Sequence, residues 1–155
     1  MTAAFSDAEA SIIALWQANW TAAPTAYENT DFNPTELEAT DLAAGFANGG
    51  PWIALRIAQL PGFGQISTIS NGTRRWRYPG LVNVAASIPT GMGKGALTTL
   101  LDTAANIFRG YSADIGATGH ILFFAPYMTA AGPSPKDPAW FEASMIVRFW
   151  FDFDV

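Results

Sequence analysis

Residues 74–108 read RRWRYPGLVNVAASIPTGMGKGALTTLLDTAANIF, and the way this stretch divides decides the fold. The segment through Ile88 is strand-like, residues 91–95 form a glycine-rich turn with one lysine, and a helical pattern follows. Leu97, Leu100/Leu101, Ala104/Ala105 and Phe108 make an apolar stripe at helical spacing, which predicts a helix from Lys94 to about Phe108, packed on a sheet. Gly110 stands where a C′ glycine would stop it. A strand, a glycine turn and a helix also make up a phosphate-binding P-loop. That loop needs G-x-x-x-x-G-K-[ST], with backbone N–H groups around the phosphates and a hydroxyl on the magnesium. Here Gly95 follows Lys94, and Ile88 stands where the first glycine belongs. The pattern fails at both places, so the segment is read as a strand-to-helix turn.

Upstream, Asn71-Gly72 is the strongest short hairpin signal, because both residues tolerate the positive φ of a type I′ turn. With Ser70 facing Thr73, the pairing runs outward through Ile66 and Arg77 and sets 52–60 beside 81–88. Trp52–Leu60 supports this, since Ile53, Leu55 and Ile57 alternate on one face before the bend at Pro61-Gly62. The expectation is a long hairpin with a polar tip that projects from the body. Downstream, Gly119–Tyr127 is a fully apolar strand, and residues 129–138 are a loop. A final strand, from Trp140 to about Phe153, places Phe141, Ala143, Met145, Val147, Phe149, Phe151 and Phe153 on one face.

At the other end, Ser6-Asp7-Ala8-Glu9 has the form of a capping box, which predicts a helix over about 7–20 with Ile12, Leu15/Trp16 and Trp20 on one face. A short strand at Thr25–Glu28 and an acidic loop over 30–50 complete the order. The chain is therefore expected to be one α+β domain over residues 1–155, a mixed or antiparallel sheet with a long β-hairpin and two helices on one face.

Composition narrows the function classes. Half of the residues are apolar, with six Trp and eleven Phe, and only 14% are charged, which leans towards an oligomer. No lysine or arginine precedes Arg56, so that part carries −7, while the rest carries +2. A net-acidic chain is poorly suited to phosphate neutralisation. The two oppositely charged parts pair within the fold, pair between copies, or are solvated faces. No apolar run approaches the roughly 18 residues of a membrane helix, and the N-terminus lacks the basic start of a secretory signal.

No catalytic or cofactor signature emerges. His120 is the only histidine and there is no cysteine, so a zinc site would need an unusual set of three carboxylates. The pairs Glu36/Glu38 and Asp152/Asp154 are read as solvated, the first in a loop and the second on the open face of a strand. In Arg74-Arg75-Trp76-Arg77, strand geometry puts Arg75 and Arg77 on one face and Arg74 and Trp76 on the other. This favours partner contacts on both sides of a ribbon, with residue types that anchor protein interfaces, over exposed solubilising charge or base stacking and phosphate contact with nucleic acid.

Taken in order, the tryptophan-rich ALWQANW, PTAYENTDF, PWIALRIAQLP, the 74–108 unit and the terminal WFEASMIVRFWFDF resemble the tail terminator proteins of long-tailed phages, including the lambda-type family. The most specific piece is the arginine/aromatic strand followed by G-L-x-x-V-x-x-x-x-P-x-G and a glycine turn into an amphipathic helix. The resemblance implies a non-enzymatic virion protein, made in the host cytoplasm and needing no cofactor. It implies a homo-hexameric ring that caps the tail tube protein, halts tube polymerisation and meets a head-completion or connector protein. DNA would pass through the lumen without specific binding. A ring needs a heterologous interface; Arg74, Arg75, Trp76 and Arg77 on one side and Glu36, Glu38 and Asp41 on the other are the candidate faces. Another ring component, such as a tube or head-completion subunit, is the first alternative, and a small-ligand-binding or enzymatic domain, which would need a deep polar pocket, is the second.

Overall fold

The computed structural model describes residues 3–62, 64–68 and 72–155. In chain order the elements are α1 (Phe5–Asn19), β1 (Thr25–Tyr27), α2 (Ala39–Ala43), β2 (Trp52–Gln59), β3 (Gly64–Thr68), β4 (Arg74–Pro89), α3 (Lys94–Phe108), β5 (Ser112–Ile115), β6 (Gly119–Phe123), β7 (Tyr127–Met128), β8 (Gly132–Pro133) and β9 (Trp140–Asp154). The fold is α+β, with one open mixed sheet ordered β1-β2-β4-β9-β6-β5. β3 adds to β4, and β7 and β8 add to β9. Only β1 and β2 run parallel among the described pairs.

The two long strands β4 and β9 form the spine, in register from Arg75 opposite Asp154 to Pro89 opposite Trp140. Alternation along them sorts the side chains into two faces. Val82, Val84, Ala86 and Ile88 of β4, with Met145, Val147, Phe149 and Phe151 of β9, are buried beneath α1 and α3. The helices contribute Ala8, Ile12 and Trp16, and Leu97, Leu101, Ala104, Ala105 and Phe108, all buried. Two tryptophans fit this core because their polar tips are satisfied. Trp16 Nε1 donates to Thr25 Oγ1 at 3.0 Å, and Trp20 Nε1 donates to the Ala23 carbonyl at 2.8 Å.

Gly80 shows why the strand motif carries a glycine at that point. It lies opposite Phe149, and a Cβ built on it would meet the Phe149 ring at 2.1 Å. The ring occupies the space that any other side chain would need. In the turn, Gly91 and Gly93 have φ of 101° and 88°, a left-handed region that disfavours side chains. Backbone conformation accounts for these two glycines of the TGMGKG turn.

Several expectations need correction. Helix α1 starts earlier than the sequence pattern places it: Ala4 is the N-cap, and Ser6 is inside the helix. The Asp7 carboxylate accepts the Ala4 N–H at 2.7 Å, the return half of a capping box whose hydroxyl half is missing. Phe5 draws the start back by stacking on Phe149 and meeting Tyr78 edge-on. The 30–50 loop contains α2. Gly64, not Ile66, pairs with Arg77, because a register shift between Gln65 and Ser67 leaves Ile66 as the extra residue. The Ser70 and Asn71 part of the expected turn lies outside the described residues. The arginine segment does not project as a free ribbon, since β3 flanks it on one side and β9 runs beside it to Asp154 on the other.

The apolar run from Gly119 does not stay one strand to Tyr127. It ends at Phe123, and Pro126, which has no N–H to donate, lies in the break. Pairing with β9 resumes with Tyr127 opposite Ile146, one residue out of step with Phe123 opposite Phe149. A one-residue slip turns side chains to the other face. Tyr127 therefore points outward and is 49% exposed.

Candidate functional site

No described helix covers the second face of the sheet, and the register specifies what it presents. Crossing from β6 through β9 and β4 towards β2, one row is Leu122, Trp150 and Pro79. The next holds Arg148, Leu81 and Ala58, with Phe124 bonded through its N–H to the Arg148 carbonyl at 2.9 Å. Then come Tyr127, Ile146, Asn83 and Arg56. Phe124 meets Trp150 edge-on at 4.7 Å between ring centroids. Leu122, Phe124, Tyr127, Met128 and Trp150 are all exposed. The result is an aromatic patch on the β9–β6 side of the sheet, with the exposed Arg148 inside it.

One end of this face is closed by charge pairs. Arg75 grips Asp154 through two bonds, Nε to Oδ1 at 2.7 Å and Nη2 to Oδ2 at 3.0 Å. Arg77 grips Asp152 in the same way, at 2.6 Å and 2.6 Å. Such fork-to-fork pairs are directional and strong. The bond from Arg75 holds the Asp154 carboxyl below its usual pKa, and the two carboxylates push both guanidiniums above theirs. Arg77 also lies over the Trp150 ring, 3.7 Å from its centroid, a cation–π contact that fixes the edge of the aromatic patch. Nearby, His120 Nδ1 and Asp114 Oδ1 are 2.8 Å apart across β5 and β6.

The candidate interface residues thus have distinct placements. Arg75 and Arg77 share a face as the sequence parity indicates, but they are engaged by Asp152 and Asp154, a pair expected to be simply solvated. Trp76 turns to the helix side and packs against the core cluster. Arg74 is exposed. Sequence reasoning passed over Arg148, Trp150, Leu122, Phe124 and Tyr127. For Arg148 and Trp150 a signal existed, since both fall on the outward parity of the last strand.

Glu36, Glu38 and Asp41 belong to a lobe at the opposite end of the sheet, in the connection between β1 and β2. Its own bonds hold it. Asn33 Oδ1 accepts the Thr35 N–H at 3.1 Å, Asn48 Oδ1 accepts the Leu37 N–H at 2.7 Å, and the Gly49 N–H reaches the Pro34 carbonyl at 2.7 Å. Leu37 is buried, and Phe32 packs on Trp52 at 5.3 Å, fixing the lobe to the sheet edge. Asp31, Glu36 and Glu38 are exposed, Asp41 is half-buried, and none of the four has an ion-pair partner among the described residues. Beside them Leu42 is 45% exposed.

Among the described residues, no group of three or more His, Asp or Glu side chains is placed to hold a metal ion. No described helix is long and apolar enough to cross a membrane. No protein-family model and no curated protein matches the chain. A solved structure with no descriptive name is similar in fold: it is 16% identical, covers 94% of this chain and 94% of its own, and superposes with a TM-score of 0.63. At that identity the likeness speaks for the fold alone, and it extends over nearly the whole α+β domain.

Proposed function

We propose that the protein is a structural virion component, a tail terminator. It forms a hexameric ring that caps the tail tube, stops tube polymerisation and offers the surface on which head-completion proteins join. It works without a cofactor or chemical turnover. DNA passes through the ring without specific binding, and the ring reaches the virion after assembly in the host cytoplasm. The observation that carries this reading is the uncovered sheet face, where Leu122, Phe124, Tyr127 and Trp150 form an exposed aromatic patch beside an arginine. A contiguous apolar patch of this kind marks an interaction surface. The motif on which the resemblance rests also has physical roles here: Gly80 admits the Phe149 ring, Val84 is core, and Gly91 turns the chain into α3.

The test is the mass of the purified protein across concentrations, by light scattering or native mass spectrometry, followed by incubation with tail tubes. A closed hexamer of about 100 kDa, six copies of the 16.6 kDa chain, that appears at tube ends supports the reading. Open-ended polymers would instead assign a tube subunit. Failure to cap tubes in any oligomeric state would remove the terminator.

A further inference from the structure

We infer that the acidic lobe of one copy docks on the aromatic–arginine face of the next, with Arg148 as the cation that receives it. The inference rests on the ring reading and assigns its two contacting surfaces. Three observations carry it. The lobe presents Asp31, Glu36, Glu38 and Asp41 without internal ion-pair partners among the described residues, around an exposed Leu42. The receiving face presents Leu122, Phe124, Tyr127 and Trp150 around Arg148, a guanidinium that no described carboxylate engages. Arg75 and Arg77 are already occupied by Asp154 and Asp152, and Arg56 lies away on β2, so among the described residues Arg148 is the arginine left unpaired on β9 between the aromatic rings.

Position supplies the third. The lobe sits at the β1–β2 end of the sheet and the patch on β9 and β6, with β4 between them. One copy therefore displays two different, complementary surfaces on opposite sides. Such a pair joins head to tail, and head-to-tail contacts give a ring where the rotation between copies closes, not a two-fold dimer. An apolar centre with Trp, Tyr and Arg, opposed by a carboxylate-rimmed leucine, matches how interface anchors are distributed.

The experiment uses charge reversal in the full chain. One variant is Arg148→Glu and the other is E36K/E38K/D41K; all these side chains lie outside the core, and circular dichroism checks that each variant is folded. Each alone is expected to raise the concentration needed for assembly by about tenfold or more. An equimolar mixture is expected to restore assembly, because the acidic lobe of the first fits the basic face of the second, and the basic lobe of the second fits the acidic face of the first. Wild-type-like assembly of either variant alone overturns the inference, as does a mixture of folded variants that stays apart. A wild-type chain that remains monomeric at millimolar concentration also overturns it. Tube capping is scored separately on wild type, so a capping protein with unaffected variants loses only this interface, and a protein that never caps loses the ring reading.

Discussion

Phe149 and Trp150 are neighbours in sequence and lie on opposite faces of the same strand. Phe149 is fully buried beneath the helices, over the backbone of Gly80, while Trp150 is 36% exposed and touches Phe124 and Arg77. The inner face is a close-packed core in which each ring has one place. The outer face also carries aromatic rings, Trp150 and Phe124 among them, but no described helix forms a second layer on it. The difference shows that aromatic content alone does not identify a core; what matters is which parity of the strand meets the helices.

The largest expected effect breaks this contrast at its sharpest point. Phe149→Ala should cost about 3–5 kcal/mol, from lost burial and a cavity beside Phe5 and Phe123. Trp150→Ala should cost about 1 kcal/mol or less, because its ring is already partly in water. Denaturant titration of both variants measures the ratio; equal costs would mean that the outer face is as much a core as the inner one. The Trp150 variant should instead lose assembly.

Next in size is Gly80→Ala. The added methyl group forces the Phe149 ring to move, and overpacking of this kind costs about 1–3 kcal/mol. Combining it with Phe149→Leu should give a double variant more stable than additivity allows, since the shorter side chain leaves room for the methyl. Strict additivity in chemical denaturation would count against ring contact as the reason for the glycine.

These residues also show what was legible in the sequence. The strand over 52–59, helix α3 and the terminal strand were readable because their apolar residues recur at a period of two or near 3.6, a local signal. Arg75 and Arg77 on one face, and Asp152 and Asp154 on one face, were readable from parity. That the two pairs meet was not, because the register between strands about 75 residues apart is set by the whole sheet. Tyr127 was unreadable for a related reason: the slip after Phe123 reverses its face. Strand β5 is four residues long and too short for its alternation to stand out. Helix α2, at five residues, is little more than one turn and has no buried residue to mark it.

The charge ladder at the end of the outer face gives a smaller, pH-dependent effect. Asp152→Asn should cost about 1 kcal/mol at neutral pH, as expected for a half-exposed cross-strand pair. For Asp154 the sign follows from its lowered pKa in the folded state. Its contribution is complete above the unfolded value of about 3.9 and is lost as pH falls through the lower folded value. Asp154→Asn should thus be less stable than wild type at neutral pH, and the two unfolding curves should converge on acidification. A constant gap down to the most acidic pH at which the protein folds would show that Arg75 does not hold the carboxylate.

The smallest effect belongs to Asn83, which lies on the outer face between Ile146 and Arg56. Its Oδ1 is buried and has no hydrogen-bond partner among the described residues. A buried amide oxygen without a donor costs about 1–3 kcal/mol, and an apolar group of the same shape avoids that cost. Asn83→Leu should therefore leave thermal stability unchanged or raise it, despite adding apolar surface to a face that has no second layer. Its effect on assembly separates two reasons for a polar residue at this position. If the leucine variant assembles at lower concentration than wild type, the face accepts apolar area in general, and Asn83 limits how tightly copies hold. If stability rises while assembly stays the same, the docking surface ends at the Tyr127–Ile146 edge, and the asparagine lies outside it.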